Sequence, residues 1–320
     1  MNGALIGVGY WGVNYLRLLQ TIENVKLAYV ADISNRALER VKTPNEIKKT
    51  EDLNKVIEDP IIDFVVVTTP ASTHYSLVSK LIRAGKSVLV EKPLTMSHNE
   101  ANELIDLAYR ERVTLLTGHT YLYNSAYRYI KGLIKSGRFG KIHYVYGERM
   151  GLGPIRNDAS CLWDLGVHDV SMALDLMGDL PDNKAATTIK FIKKDSDASD
   201  FASFYLSYND NTIFSFNVSW YSPYKVRLWT IVCDKAMITF NDMNSDFPIT
   251  IVKNSINAYG NANEYSQYYT LGDVIKPKIE RSEPLRNLME VFLNKIEKKD
   301  YSPDLGSLQV VKVMEELAGN

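Results

Sequence analysis

Cysteine is scarce in this chain: among 320 residues only Cys161 and Cys233 carry thiols, and they form no CxxC pair. Neither a disulfide framework nor a thiolate zinc site is therefore expected, and no metal is assigned. Charge of one sign is also lacking, with 37 Lys+Arg against 38 Asp+Glu and a formal net charge of −1. Nucleic acid is not expected as a partner, because phosphate binding depends on clustered cations that release counterions. No stretch reaches 18 uninterrupted apolar residues and no basic leader precedes the first apolar run, so neither a membrane partner nor export is expected. The chain reads as cytoplasmic. What it does have is 45% hydrophobic residues, enough for large cores, and a length that suggests about two domains.

Up to about Gly118, short Val-, Ile- and Leu-rich runs at 4–6, 27–31, 64–67, 88–90 and 114–116 alternate with amphipathic segments. Leu77, Val78, Leu81 and Ile82 share one helical face, and Ser97 is placed to cap a run carrying Ala101, Leu104, Ile105 and Ala108. Such alternation predicts a parallel sheet covered on both faces. Beyond Gly118 the pattern changes to helices over 125–136 and 162–177 around a strand near 142–146, then strands at 185–192, 201–207, 212–219, 226–232 and 236–240. Two further helices, 283–298 and 305–317, close the chain. The expected layout is an α/β domain over 1–118 and an α+β domain with a large open, mostly antiparallel sheet over 119–320.

Gly7-Val8-Gly9-Tyr10-Trp11-Gly12 follows the first strand and opens a helix. Gly7 suits a tight turn, Gly9 the approach of backbone to a pyrophosphate, and Gly12 close helix–strand packing, with the helix amino terminus directed at phosphates. Standing alone, the motif is weak evidence, since a glycine-rich turn with no ligand has the same form. Asp32, at the end of the second strand and twenty residues beyond Gly12, changes the balance because its carboxylate can accept both ribose hydroxyls. A like charge near 4 Å costs from ~1 kcal/mol in water to ~4 at intermediate dielectric, so a 2′-phosphate is disfavoured and NAD is preferred over NADP. Arg36 tempers this, since it can face a phosphate or adenine, or simply be a solvated helix residue. Thr69-Pro70 and Glu91-Lys92-Pro93 follow the next strands, where ligands of open α/β sheets bind. Pro93 biases Lys92 towards an extended conformation, aimed at the site or merely part of a surface Glu-Lys turn.

Together these residues resemble the Gfo/Idh/MocA oxidoreductases, the glucose–fructose oxidoreductase and inositol dehydrogenase family. The resemblance covers Gly7–Gly12, Asp32, Thr69-Pro70 with His74, Glu91-Lys92-Pro93, the stretch from Gly118 to Asn124, and Asp164-Leu165-Gly166-Val167-His168. Glu-Lys-Pro followed some seventy residues later by Asp-x-x-x-His is specific for that family, whereas the glycine motif is not. The resemblance implies a Rossmann doubly wound domain joined to an α+β domain whose open sheet commonly forms the oligomer interface, hence a homodimer or homotetramer. It implies that Tyr10, Trp11, His74, Glu91 and Lys92 border NAD, that Lys92 contacts the reacting hydroxyl, and that His168 is the acid/base with Asp164 as its partner. The chemistry agrees: a histidine with an ordinary pKa near 6.5 can take a hydroxyl proton near neutral pH, and an ammonium stabilises the alkoxide.

Asp164 and His168 lie four apart and share a helix face; spacing alone favours a helix cap and a core histidine, and the resemblance reverses that, while Asp169 faces elsewhere. The segment from Gly118 resembles a subgroup acting on sugars, often nucleotide-linked, with Tyr121 in place of Phe and Ser125 in place of Pro; Ser125 offers a hydroxyl to cap the next helix. Tyr121, Tyr123 and Asn124 are candidate contacts for sugar hydroxyls, with packing as the other reading. Arg156 is a candidate for a substrate carboxylate or phosphate, or for a surface ion pair with Asp158. Cys161 reads as a packing residue. The expectation is an NAD(H)-dependent dehydrogenase of a sugar, cyclic polyol or nucleotide-linked sugar, with Lys92, Asp164 and His168 meeting at one carbon. Two rivals are an enzyme that oxidises transiently with no net redox change, and a dinucleotide-binding sensor without catalysis.

Overall fold

The computed structural model describes residues 1–319 apart from 154, 157–158, 193–197 and 257–268. The chain divides into two compact units, Met1–Thr120 with Leu285–Glu315, and Tyr121–Pro284 with the residues from Glu316 onward.

In the first unit, β1 (Asn2–Ile6), α1 (Gly12–Leu19), β2 (Lys26–Ala31), α2 (Asn35–Arg40), β3 (Lys48–Thr50), α3 (Asn54–Ile57), β4 (Phe64–Val67), α4 (His74–Arg83), β5 (Ser87–Val90), α5 (His98–Glu111) and β6 (Leu115–Thr117) follow in sequence. The strands form one parallel sheet of order β3-β2-β1-β4-β5-β6. Strand β4 is an uninterrupted apolar run, Phe64-Val65-Val66-Val67, with every residue fully buried, as expected of a strand covered on both faces. Ile6 pairs with Ala31 on one side and Val67 on the other. That register brings Gly7, Asp32 and Thr68 to one edge of the sheet, where the strand order reverses.

The second unit begins with α6 (Ser125–Lys135) and β7 (Ile142–Met150), then a wide π-type turn over Leu162–Gly166 that leads into α7 (Val167–Met177). Among the described residues seven strands follow: β8 (Asn183–Ile189), β9 (Phe201–Ser207), β10 (Ile213–Ser219), β11 (Val226–Cys233), β12 (Ala236–Asn241), β13 (Ile249–Ile256) and β14 (Tyr269–Ile275). With β7 they make an eight-stranded sheet of order β14-β13-β12-β11-β7-β10-β9-β8, antiparallel except where β10 runs parallel to β7. Phe204, Phe214, Phe216 and Trp229 interlock on its inner face at centroid distances of 5.0–6.2 Å. Tyr144, Tyr146, Tyr205 and Ile213 stand on its outer side, 39–48% exposed.

Helices α8 (Pro284–Glu297) and α9 (Leu305–Ala318) close the chain. Most of both belongs to the first unit, whereas a single cut at residue 118 assigns them to the second domain. The reason is packing: Leu285, Leu288, Met289, Phe292 and Leu293 form a buried face, and Phe292 meets Phe64 of β4 edge-on at 5.8 Å. Two capping expectations also change. Asn124, not Ser125, caps α6 by accepting from the amides of Ala126 and Tyr127, while the Ser125 hydroxyl turns to Ser282. Ser97 holds the extended N-cap conformation of α5, but its side chain makes no capping bond.

Candidate functional site

The glycine motif is shaped as its spacing predicts. Gly7 has φ +95°, a left-handed conformation that glycine adopts without steric cost, and its amide donates to Ala31 O at 2.8 Å. A Cβ on Gly12 would stand 2.1 Å from Gly7 O, whereas one on Gly9 would meet nothing within 4 Å. The turn therefore packs tightly on its own sheet and is open outward. Asp32 fixes it from the side: Oδ2 accepts from Val8 N at 2.8 Å and Oδ1 from Ser34 N at 2.9 Å. Gly7, Gly9, Asp32, Thr69 and Pro70 line a cavity of about 570 Å³, together with Leu53, Leu77, Ser76 and Lys80. Its open glycine backbone, acidic β2 terminus and apolar side chains fit a dinucleotide.

The other residues expected around a dinucleotide lie outside that lining. Tyr10 and Arg36 are exposed. Trp11 and Tyr15 both donate to Glu91 Oε1, at 2.6 and 2.8 Å, and the Lys92 amide donates to Oε2 at 3.1 Å. Glu91 is thus a buried tie between the glycine turn and the Lys92 loop. Burial pushes its carboxyl above the usual range, opposed by the Lys92 ammonium and the Tyr15 and Trp11 donors. His74, also buried, has Nδ1 2.8 Å from Pro93 O and Nε2 2.9 Å from Thr69 O. A neutral ring donates to only one of these carbonyls and a protonated ring to both. Either way it joins the Thr69-Pro70 loop to the Lys92-Pro93 loop. The Lys92–Pro93 bond is cis.

One residue of this unit escaped the sequence reading. His119 is buried with no hydrogen-bond partner on either ring nitrogen among the described residues, and burial pushes its pKa down to about 4, opposed by Asp304 and reinforced by Lys92. Asp304 is held in turn by Thr117 N at 3.0 Å and by the Ser307 hydroxyl at 2.6 Å.

In the second unit, the π-type turn carries Asp164 and α7 carries His168. π-turns recur at functional positions because the extra residue re-aims side chains. Asp164 is held by both oxygens, with Arg156 Nη1 3.3 Å from Oδ1 and Trp220 Nε1 donating to Oδ2 at 3.0 Å. Arg156 therefore pairs with Asp164; the pairing with Asp158 lies outside the described residues. His168 is half-buried, its ring 5.0 Å from that of Tyr121. The Tyr121 hydroxyl donates to Asp242 Oδ2 at 3.0 Å, and Asn124 Nδ2 donates to Asp242 Oδ1 at 3.2 Å. Burial raises the Tyr121 phenol above its ordinary pKa, against the pull of Arg149 and Arg227. Tyr123 lies beneath the Arg128 guanidinium at 5.0 Å. Asp169, the neighbour of His168, forms a buried bidentate pair with Arg149, with both contacts at 2.9 Å, and accepts from Trp229 Nε1 at 2.8 Å. Arg149 was missed, although an arginine among the inward positions of β7 is itself the signal. Cys161 is buried and its thiol is pushed up to about 12 by desolvation, so it is a packing residue.

Fold and cavity together define a Rossmann-type dinucleotide-binding protein with an appended α+β unit. Residues 1–119 match the model of an oxidoreductase family with an NAD-binding Rossmann fold, and residues 127–239 match the GFO/IDH/MocA C-terminal domain. The chain belongs to the GFO/IDH/MocA family, and its first unit carries the NAD-binding domain of that family. Among curated relatives, the scyllo-inositol 2-dehydrogenase (NAD(+)) of Bacillus subtilis is 32% identical over 182 residues, 55% of this chain and 53% of that protein. The UDP-N-acetylglucosamine 3-dehydrogenase of Acidithiobacillus ferrooxidans is 27% identical over 214 residues, 67% of this chain and 65% of that protein. The matched part of the chain thus spans about half to two thirds of the length of these relatives. A solved structure from Magnetospirillum magnetotacticum MS-1 superposes with a TM-score of 0.83 at 27% identity, covering 99% of each chain. No described helix is long and apolar enough to cross a membrane.

Proposed function

We propose that the chain is an NAD(H)-dependent oxidoreductase acting on a secondary alcohol or ketone of a sugar, cyclic polyol or nucleotide-linked sugar. The observation that carries this reading is the doubly held Asp164 carboxylate four residues before half-buried His168, in a chain whose other unit opens a glycine-lined cavity ending at Asp32. The inositol and UDP-sugar dehydrogenases among its relatives support the substrate class. Gly7, Gly9, Asp32, Thr69 and Pro70 would hold the dinucleotide, with Glu91 and His74 fixing the loops on either side. When bound, NAD supplies the hydride acceptor or donor. His168 takes the hydroxyl proton, or returns it in the reverse direction, as a general base or acid near neutral pH. The Lys92 ammonium stabilises the developing alkoxide oxygen. Asp164 orients the substrate hydroxyl or the imidazole, and Arg156, Tyr123 and Asn124 border the substrate.

On this reading the first unit, Met1–Thr120 with most of α8 and α9, serves the cofactor, and the α+β unit serves substrate binding and oligomerisation. The exposed Tyr144, Tyr146, Tyr205 and Ile213 on one sheet face support a homodimer or homotetramer. A cytoplasmic location accords with the proposed NAD dependence and with two buried cysteines that form no disulfide.

The test is NADH formation with NAD or NADP across a panel of inositols, free hexoses and UDP-N-acetylhexosamines. NADH should accumulate with at least one member, and NAD should be preferred at least about tenfold, since Asp32 repels a 2′-phosphate. Turnover of a substrate without NADH accumulation would replace the reading by one with no net redox change; hydride exchange with none of them would favour a sensor.

A further inference from the structure

Tyr121 occupies a position that substrate contact does not explain. It is 9% exposed, and its hydroxyl is committed to Asp242, which Arg227 Nη1 also reaches at 3.3 Å. Over its ring stands the Arg149 guanidinium, 4.2 Å from the centroid. That guanidinium cannot wander, because Asp169 holds it bidentately and Trp229 holds Asp169. The ring is thus fixed at its tip and over a face, and it meets the His168 imidazole at a centroid distance of 5.0 Å with an interplanar angle of 56°. Asp169 follows His168 directly in α7, so the buried ion pair locks the helix segment carrying the imidazole as well as the ring beside it.

We propose that Tyr121 is a positioning residue for His168, an aromatic wall anchored by Arg149 and Asp242 that holds the imidazole in one orientation and favours its protonated form. This rests on the acid–base reading of His168. The physical content is simple. When the imidazole takes the substrate proton it becomes a cation against an aromatic ring, an attraction that the neutral ring lacks. Loss of the aromatic ring therefore lowers the pKa of His168. The charged groups around the pair are Asp164 on its own helical segment, Arg149 over the Tyr121 ring with its partner Asp169, and Asp242 with Arg227 at the hydroxyl. Tyr121→Phe keeps the wall and loses only the Asp242 anchor; Tyr121→Leu removes the wall.

The experiment is a titration of the five histidines by NMR with labelled imidazole carbons, the His168 signal being assigned by its loss in His168→Gln, alongside the pH profile of kcat/KM. Tyr121→Leu should lower the His168 pKa by about half a unit or more and move the acidic limb of kcat/KM with it, while Tyr121→Phe leaves both near the parent. Should Tyr121→Leu not fold, the unmutated chain still decides: cross-relaxation between imidazole and Tyr121 ring protons is required, and its absence overturns the proposal. An unmoved His168 pKa in folded Tyr121→Leu also overturns it. A shifted NMR pKa with an unmoved kinetic profile would uphold the wall and instead sink the acid–base reading of His168.

Discussion

A buried imidazole that stays neutral leaves a mark on stability. The His119 pKa of about 4 in the folded chain lies below the ordinary value near 6.5 of the unfolded chain. As pH falls between those values the unfolded state takes a proton that the native state refuses, so stability declines with falling pH and levels off below about 4. The difference amounts to on the order of 3 kcal/mol for this one group. His119→Leu removes the titration and both unpartnered nitrogens. Thermal midpoints of parent and variant, measured from pH 7 to 4.5, should diverge by roughly 5 °C or more in favour of the variant at the acid end; parallel curves would refute the assignment. At this scale legibility was uneven. Lys92, Asp164 and His168 stand in motifs that announce themselves, but His119 and Arg149 acquire their character from burial and from partners such as Asp304 and Asp169, which spacing does not reveal. The capping role of Asn124 was hidden by a neighbouring Ser125 that suits a cap equally well.

The turn joining β1 to α1 separates packing from binding within six residues. Gly12 has no room for a methyl group, since Gly7 O and Thr68 Oγ1 would lie 2.1 and 2.7 Å from it, while Gly9 opens onto free space. Gly12→Ala should therefore lose about 1–3 kcal/mol of stability through overpacking. Gly9→Ala should melt like the parent yet bind NAD at least about tenfold more weakly, because the added methyl stands where backbone would approach the pyrophosphate. Calorimetric melting and NAD titration of the two variants check this, and undiminished NAD affinity in Gly9→Ala would contradict it. Strands such as β4 could be read directly because an all-apolar run between helical patterns has one interpretation. Strand β3, Lys48-Lys49-Thr50, is short and polar and is strand only because it pairs with β2. Strands β13 and β14 were not foreseen, and the π-type turn before α7 is invisible to a 3.6-residue period.

Across the whole molecule, the first unit is assembled from distant parts of the chain. Helix α8 lies more than two hundred residues beyond β4, yet Phe292 packs on Phe64. A reading that proceeds along the sequence cuts after residue 118 and cannot see that contact. Phe292→Ala should cost about 3–5 kcal/mol, and a fragment ending at residue 120 should not melt cooperatively, as circular dichroism will show; a fragment as stable as the full chain would mean that α8 is dispensable. The proposed function requires both Lys92 and His168. Its most direct test is steady-state turnover of Lys92→Met and His168→Ala on the substrate found in the panel, with NAD binding measured in parallel. Each variant should lose about a hundredfold or more in kcat while still binding NAD. Turnover near that of the parent in both would contradict the account.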